Sequence, residues 1–384
     1  MMKNVIPYGK QNITEEDIKT VVETLQHDFL TQGPKIKEFE EQFAEYIGSK
    51  YAVAVSNGTA ALHLSAMAVG IEKGDKAITT PITFAASANS VLYCGGEVDF
   101  VDIDSKTFLL DLDKLEEKLE QASAGEYKAI IPVDFAGYPI DSKRLRTIAN
   151  KYNLKIIEDA CHAPGAFHKY KDKKEFAGQG NYADLSIFSF HPVKHIATGE
   201  GGMITTNDKY LYEKLLLLRS HGITKSTDLL HENHGGWYYE MQELGYNYRI
   251  SDINCALGIS QLKKAEQGLK RRNEIAQKYT NAFRNTNVIS PEVSDNVYHA
   301  YHLYVIQISD RLGLYNYLRK HNIFAQVHYL PVHLHPYYKE MGWKKGDFPA
   351  SENYYEQCLS LPMFPTLKEH EQDFVIEKVL NFVK

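Results

Sequence analysis

The stretch YAVAVSNGTAALHLSAMAV, Tyr51 to Val69, decides the fold. Tyr51 to Val55 is an apolar, β-branched run of strand length, and Thr59 to Val69 carries apolar residues at helical spacing. Between them lies a short turn of small and polar residues. A strand, a tight turn and a helix in immediate succession are the repeating unit of a sheet covered by helices.

The same unit recurs on working outward. Lys76 to Thr80, Glu97 to Val101, Ala129 to Val133, Leu154 to Glu158, Leu185 to Phe190 and Met203 to Thr206 are further short runs bounded by turn residues. Ala85 to Cys94, Ser142 to Lys151 and Lys209 to Arg219 supply amphipathic crossovers. The expectation is an α/β fold whose large domain, residues 1–250, holds one mainly parallel seven-stranded sheet. Ser251 reads as the N-cap of a long helix with Asp252 in its first turn and Ile253, Leu257 and Leu262 along an apolar stripe. That helix opens a smaller C-terminal α+β domain, residues 251–384. It is completed by Tyr301 to Ile308, a helix near Leu312 to His321, Phe324 to Leu330 and a final helix Glu369 to Val383. The residues up to Glu15, and Glu38 to Ile47, are expected to pack as helical pieces on the large domain.

Composition narrows the function. The 384 residues carry 43 Lys+Arg against 49 Asp+Glu, and a net charge of −6 offers no broad cationic field for a nucleic-acid backbone or an anionic membrane. Cys94, Cys161, Cys255 and Cys358 are too far apart in sequence for a zinc knuckle or a readable disulfide framework, which fits a reducing cytoplasm. The N-terminus lacks the apolar stretch of a signal peptide, and no uncharged apolar run approaches the ~20 residues that span a bilayer. A soluble cytoplasmic protein is expected, in which the sequon Asn57-Gly58-Thr59 is no glycan site.

In open parallel sheets ligands bind beyond the carboxyl ends of the strands. After Tyr51 to Val55, the turn Ser56-Asn57-Gly58-Thr59 opens a helix whose free N–H groups can hold a phosphate. Asp159 follows Leu154 to Glu158, with Cys161 and His162 just beyond. Ser189, His191 and Lys194 mark the end of Leu185 to Phe190, and Phe84 follows Thr80. Each residue alone has an ordinary reading: Gly58 at positive φ, Thr59 as a helix cap, Asp159 as a cap or surface acid, Lys194 in solvent, Phe84 in the core. Together, a phosphate cradle, a carboxylate for a pyridine nitrogen, an amine and a planar aromatic are what pyridoxal phosphate (PLP) requires.

Phe188-Ser189-Phe190-His191-Pro192-Val193-Lys194 followed by Gly199-Glu200-Gly201-Gly202 resembles the lysine segment of the DegT/DnrJ/EryC1/StrS nucleotide-sugar aminotransferases, which have the fold type I architecture. Similar segments run along almost the whole chain: Leu30-Thr31-Gln32-Gly33-Pro34, Ser56 to Leu62, Thr80-Pro81 with Thr83-Phe84, Glu158-Asp159-Ala160, Arg219-Ser220-His221-Gly222 and Gly245-Tyr246-Asn247-Tyr248-Arg249. The resemblance implies that Lys194 forms the Schiff base and shuttles protons, that Asp159 pairs with the pyridine nitrogen and that His162 approaches the ring oxygen. It implies Phe84 as the stacking aromatic, and Gly58, Thr59 and Ser189 as phosphate ligands. Asn247 would reach the phosphate of a neighbouring subunit, so a homodimer with shared sites is expected.

Thr31, His191, Arg249, His328 and Tyr329 are the substrate-binding candidates. A lysine at position 194, where dehydrating relatives carry histidine, implies transamination. The form Ser189-Phe190-His191 before it resembles members that aminate C4 of a UDP-linked sugar. Thr80 to Asn89 and Ala325 to Pro331 resemble the pseudaminic-acid branch, with a UDP-4-keto-sugar as acceptor and L-glutamate as donor.

Three rivals are weaker. A cofactor or nucleotide-sugar sensor would want an added basic DNA-binding module. A metalloenzyme would have to use His231, Glu232 and His234, or His328, His333 and His335, and neither set has compact zinc spacing. A dinucleotide-dependent enzyme would need G-x-G-x-x-G where Ser56-Asn57-Gly58-Thr59 stands.

Overall fold

The computed structural model describes residues 5–26 and 29–384. All seven predicted runs form strands of one sheet, in the order Tyr51–Val55, Gly202–Thr206, Leu185–Ser189, Lys155–Asp159, Tyr127–Ile131, Lys76–Thr79, Glu97–Phe100. Gly202–Thr206 runs antiparallel to both its neighbours and every other pairing is parallel or separated by it. Most strand positions are buried because both faces are covered, whereas the edge strand Glu97–Phe100 alternates, with Glu97 exposed and Val98 and Phe100 buried. Val53, Val55, Ile157, Ile187 and Ile204 join one buried cluster with the helix Gly58–Ala68, and Ala52, Ala54, Phe188, Phe190 and Met203 join another with the helix Pro34–Ile47.

Period-two alternation places the functional side chains. Phe188 and Phe190 share a face, where they meet Phe43 and Phe39 with ring centroids 4.9–5.4 Å apart. Such pairs add about 0.5–1.5 kcal/mol each beyond the area they bury. Ser189, between them, therefore emerges on the opposite face. The helix Gly58–Ala68 is capped by Asn57, whose Oδ1 accepts from the Ala60 N–H at 2.8 Å, and not by Thr59. Gly58 does not take a positive φ either. Both residues are thereby left with other work than a turn demands.

Several expectations are corrected. The long helix after Ser251 is broken at Lys263 and Lys264 into Asp252–Leu262 and Ala265–Phe283, although Ser251 does cap it, its Oγ accepting from the Asn254 N–H at 3.2 Å. Of the N-terminal piece expected to be helical, residues 1–4 lie outside the described residues, and residues 5–14 are not helical and form no strand of the large sheet. Ile6–Pro7 pairs in parallel with Ile323–Phe324, since Pro7 cannot continue a helix and Ile6 is buried in the C-terminal apolar cluster. Helices do form at Glu15–Leu25 and Pro34–Ile47. Phe324 to Leu330 is strand only at Ile323–Phe324. The strand Tyr304–Gln307 takes as partner Cys358–Leu361, a run not anticipated from sequence. The helices Arg311–Lys320 and Glu369–Val383 lie where expected.

Candidate active site

Register brings three chain reversals to one end of the sheet. Gly202 is paired with Val55 on one side and Ser189 on the other, and Asp159 with Ile187. Beyond these ends opens a cavity of about 630 Å³ lined by ten of the predicted residues: Gly58, Thr59, Phe84, Asp159, His162, Ser189, His191, Lys194, His328 and Tyr329. The cradle is built by close approach. A Cβ on Gly58 would stand 3.0 Å from Ser189 Cβ, and one on Gly202 would stand 2.5 Å from the Asn57 carbonyl oxygen. The second contact is with backbone, which cannot step aside. Gly202→Ala is expected to lose about 1–3 kcal/mol, as overpacked sites do, read as a lower urea midpoint together with weakened PLP retention.

Asp159 is only 6% exposed. Its Oδ2 accepts from Ser87 Oγ at 2.7 Å and its Oδ1 from the Cys161 N–H at 3.3 Å, and Ser87 is in turn 2.7 Å from Thr83 Oγ. The carboxylate is thus fixed in direction from two sides. Glu158, one residue earlier, faces the other side of the sheet, where its Oε2 accepts from Ser186 Oγ at 2.6 Å and the Gly178 N–H at 3.0 Å. Alternation explains why only one acid of this Glu-Asp pair enters the cavity. Behind them, burial and then the charge of Glu158 hold the Asp134 carboxyl well above the usual carboxylate range.

Lys194 sits in the turn after Leu185–Ser189, its N–H donating to the His191 carbonyl at 2.8 Å. Burial pulls its amine below the ordinary lysine value, while Cys161 and Asp159 act the other way. Histidines crowd around it. His162 Nδ1 accepts from the Ala136 N–H at 3.3 Å, which leaves the neutral ring with its proton on Nε2, 3.4 Å from Tyr329 Oη. His302 packs on His162 with centroids 4.2 Å apart, and His328 Nδ1 lies 2.8 Å from Ser360 Oγ. Burial, and then the nearby charge of Lys194, holds His162 well below the usual imidazole range.

These buried neutral rings predict acid sensitivity. His299 and His328 are each pushed by burial to about 3. The unfolded chain protonates them near 6.5, so below that pH the unfolded state binds more protons than the folded one. Stability is then fully present above pH ~6.5 and falls toward pH ~3, by about 1.4 kcal/mol per pH unit for each ring. Thermal melts at stepped pH should show the melting temperature dropping steeply between pH 6.5 and 4.5.

Thr31, Asn247 and Arg249 do not line this cavity. Thr31 is exposed and bridges to Ser251. In the extended segment Tyr246 to Arg249, the rings of Tyr246 and Tyr248 stack with centroids 5.0 Å apart and meet His63, which turns the intervening Asn247 outward. Tyr8, Cys161, Glu200, Tyr248 and His302 line the cavity and were not anticipated; nor was Ser87, the residue that orients Asp159. Tyr248, Glu200 and Ser87 stood inside quoted motifs without being singled out. Among the described residues, no three His, Cys, Asp or Glu side chains converge as a metal site. His231 pairs with Glu240, His234 with Glu232, and His333 with Glu352.

The donor set fits PLP: the helix N-terminus at Gly58 with the hydroxyls of Thr59 and Ser189, the fixed carboxylate of Asp159, the amine of Lys194, and Phe84, an aromatic 63% exposed at the cavity wall. A family model for the DegT/DnrJ/EryC1/StrS aminotransferases matches residues 11–380. The chain belongs to that family. It is 39% identical over 388 residues to the UDP-4-amino-4,6-dideoxy-N-acetyl-β-L-altrosamine transaminase of Campylobacter jejuni, covering 99% of this chain and 98% of that one. It is 41% identical to the spore coat polysaccharide biosynthesis protein SpsC of Bacillus subtilis, covering 99% and 97%. The solved structure of the protein Spr1654 from Streptococcus pneumoniae in its PLP form superposes with a TM-score of 0.87 at 30% identity, covering 97% of each chain. This aminotransferase therefore uses PLP and acts on nucleotide-linked sugars. No helix among its described residues is long and apolar enough to cross a membrane.

Proposed function

We propose that the enzyme moves an amino group from L-glutamate to the C4 keto carbon of a UDP-linked 4-keto-6-deoxy-N-acetylhexosamine, giving the 4-amino-4,6-dideoxy sugar of the β-L-altro series. The observation that carries this substrate assignment is the full-length 39% identity to a transaminase of that name. The residues at the cavity support the chemistry. Bound there, PLP supplies an aldehyde for the incoming amine and a ring that takes up the electron pair released at the reacting carbon.

Lys194 Nζ would hold the cofactor's aldehyde carbon at rest and, once displaced by the incoming amine, would move the proton released at the donor's α-carbon. Its depressed amine value favours the neutral, proton-accepting form. Asp159, held by Ser87 and Cys161, keeps the pyridine nitrogen protonated. Thr59, Ser189 and the helix N-terminus at Gly58 would hold the phosphate, Phe84 would offer its ring to the cofactor's and His162 would be a donor to the cofactor's oxygen. His191, His328 and Tyr329 are the sugar-facing residues. Thr31, Asn247 and Arg249 serve the site of a second copy.

A homodimer is part of this reading. The outward turn of Asn247 supports it, as does a belt of exposed apolar side chains nearby that includes Leu229, Trp237 (75% exposed), Tyr239, Met241 and Leu244. Patches of that kind mark interaction surfaces.

A second reading, favoured by the 41% identity to SpsC, is the same transfer to a different nucleotide-linked ketosugar. The test converts the purified enzyme to its amine form with glutamate and then presents UDP- and GDP-linked 4-keto and 3-keto sugars separately. Return of the aldehyde absorbance only with the UDP-4-keto-6-deoxy-N-acetylhexosamine is expected. Return only with a GDP-sugar or a 3-keto sugar rejects it.

A further inference from the structure

A second cavity, of about 360 Å³, lies on the other side of the Lys194 turn, between the N-terminal segment at Lys10 and the helix Ala265–Phe283. Its cations are Lys10, Lys194, Lys264, Lys270, Arg271 and Arg272, against the single acid Glu274. In a chain of net charge −6 this is no by-product of a basic surface. Two of the charges are already answered: Lys264 pairs with Asp17, and Arg271 Nη1 with Glu274 at 3.0 Å. Lys194 belongs to the catalytic cavity. Lys10, Lys270 and Arg272 have no carboxylate partner among the described residues.

Arg272 is the telling member. It is 1% exposed, its Nη1 donates to the carbonyls of Tyr301, His302 and Met363 at 3.1, 3.2 and 2.9 Å, and its Nε is buried without a partner. The carbonyls fix the guanidinium in place but carry no net charge, so its field reaches the cavity uncancelled. Buried cations are ordinarily paired. The lining holds no Phe, Tyr or Trp to receive a nucleobase or a sugar face, and its one ring, His195, is tied through Nε2 to the Ala300 carbonyl at 3.0 Å. A compact, multiply charged anion suits these walls better than a planar or apolar ligand.

We infer that this cavity is a binding site for a phosphoryl oxyanion, distinct from the PLP cradle at Gly58 and Ser189. The ligand is either free inorganic di- or monophosphate or the diphosphate of the nucleotide-linked substrate. The second source rests on the function proposed above and the first does not.

The test uses the holoenzyme, whose cofactor already fills the Gly58–Ser189 cradle, and titrates pyrophosphate by calorimetry. Saturable binding is expected, weakened about tenfold or more in the Lys10→Gln/Lys270→Gln double variant and weakened further by added salt. Both lysines are exposed, so the variant keeps its fold, checked by an unchanged melting temperature. Displacement of pyrophosphate by UDP assigns the site to the substrate's diphosphate, and simultaneous binding of the two assigns it to a free phosphoryl ligand. Failure of UDP to bind anywhere counts against the nucleotide-sugar reading and leaves the oxyanion site standing. Absence of saturable pyrophosphate binding, or equal affinity in the double variant, overturns the inference.

Discussion

Lys194→Ala should purify as a folded protein and lose amino transfer by about 10⁴-fold or more, since one side chain here is both nucleophile and proton carrier. Its amine lies in a turn and contributes no buried apolar packing, so the melting temperature should move little. Borohydride should fix the cofactor to position 194 in the parent and leave the variant unlabelled. Retained turnover, or an adduct mapped to another lysine, would remove the central residue of the proposed function. The same variant reports on the shared site. Mixed with Asn247→Ala, itself expected to be impaired, it should recover about a quarter of the sites, because a two-fold assembly of unlike subunits pairs one intact Lys194 with one intact Asn247. No recovery on mixing, with exchange of subunits verified, would place Asn247 outside the site of a second copy.

Asp159→Asn should cost about 10²- to 10³-fold in turnover, the range seen when a fixed electrostatic partner is removed. The amide is of similar size and can keep one bond to Ser87, which isolates the loss of charge from loss of packing. Ser87→Ala should be milder, because the Cys161 N–H still holds one carboxylate oxygen at 3.3 Å. Single-turnover rates with glutamate, together with the affinity for PLP, check the ordering. A Ser87→Ala variant as impaired as Asp159→Asn would mean that orientation, and not charge, is what Asp159 supplies.

The fold was legible because most strands of the central sheet are buried on both faces and give short runs rich in apolar residues, from Tyr51 to Thr206, while the edge run Glu97–Phe100 alternates. Lys194, Asp159, His162 and Phe84 were legible because they follow those runs directly. Ser87 stood inside the quoted stretch Thr80 to Asn89 but was not singled out, because in Ala86–Tyr93, a helix begun by small residues, a serine looks like filler. Tyr8 and His302 reach the cavity from remote parts of the chain, and no local pattern records such a meeting. Asn57 and Thr59 are both good helix caps two residues apart, and only the hydrogen bond to Ala60 separates them. The break at Lys263 and Lys264 carries neither proline nor glycine, so the helix before it read as continuous. The strands Phe167–Tyr170 and Lys173–Phe176 were missed because their hairpin is rich in lysine and packs only partly.

The pairing of Ile6–Pro7 with Ile323–Phe324 sets Tyr8 beside His328, ring centroids 5.1 Å apart, and ties the Tyr8 carbonyl to the Met363 N–H at 2.9 Å. One wall of the catalytic cavity is thus made from two segments far apart in the chain, at Tyr8 and at His328 and Tyr329. During synthesis the earlier segments can collapse while the ribosome still holds the rest, but that wall waits for emergence of residues 323–329. A nascent chain halted before residue 323 lacks the parallel partner of Ile6–Pro7 and so has no strand to hold Tyr8 at that wall.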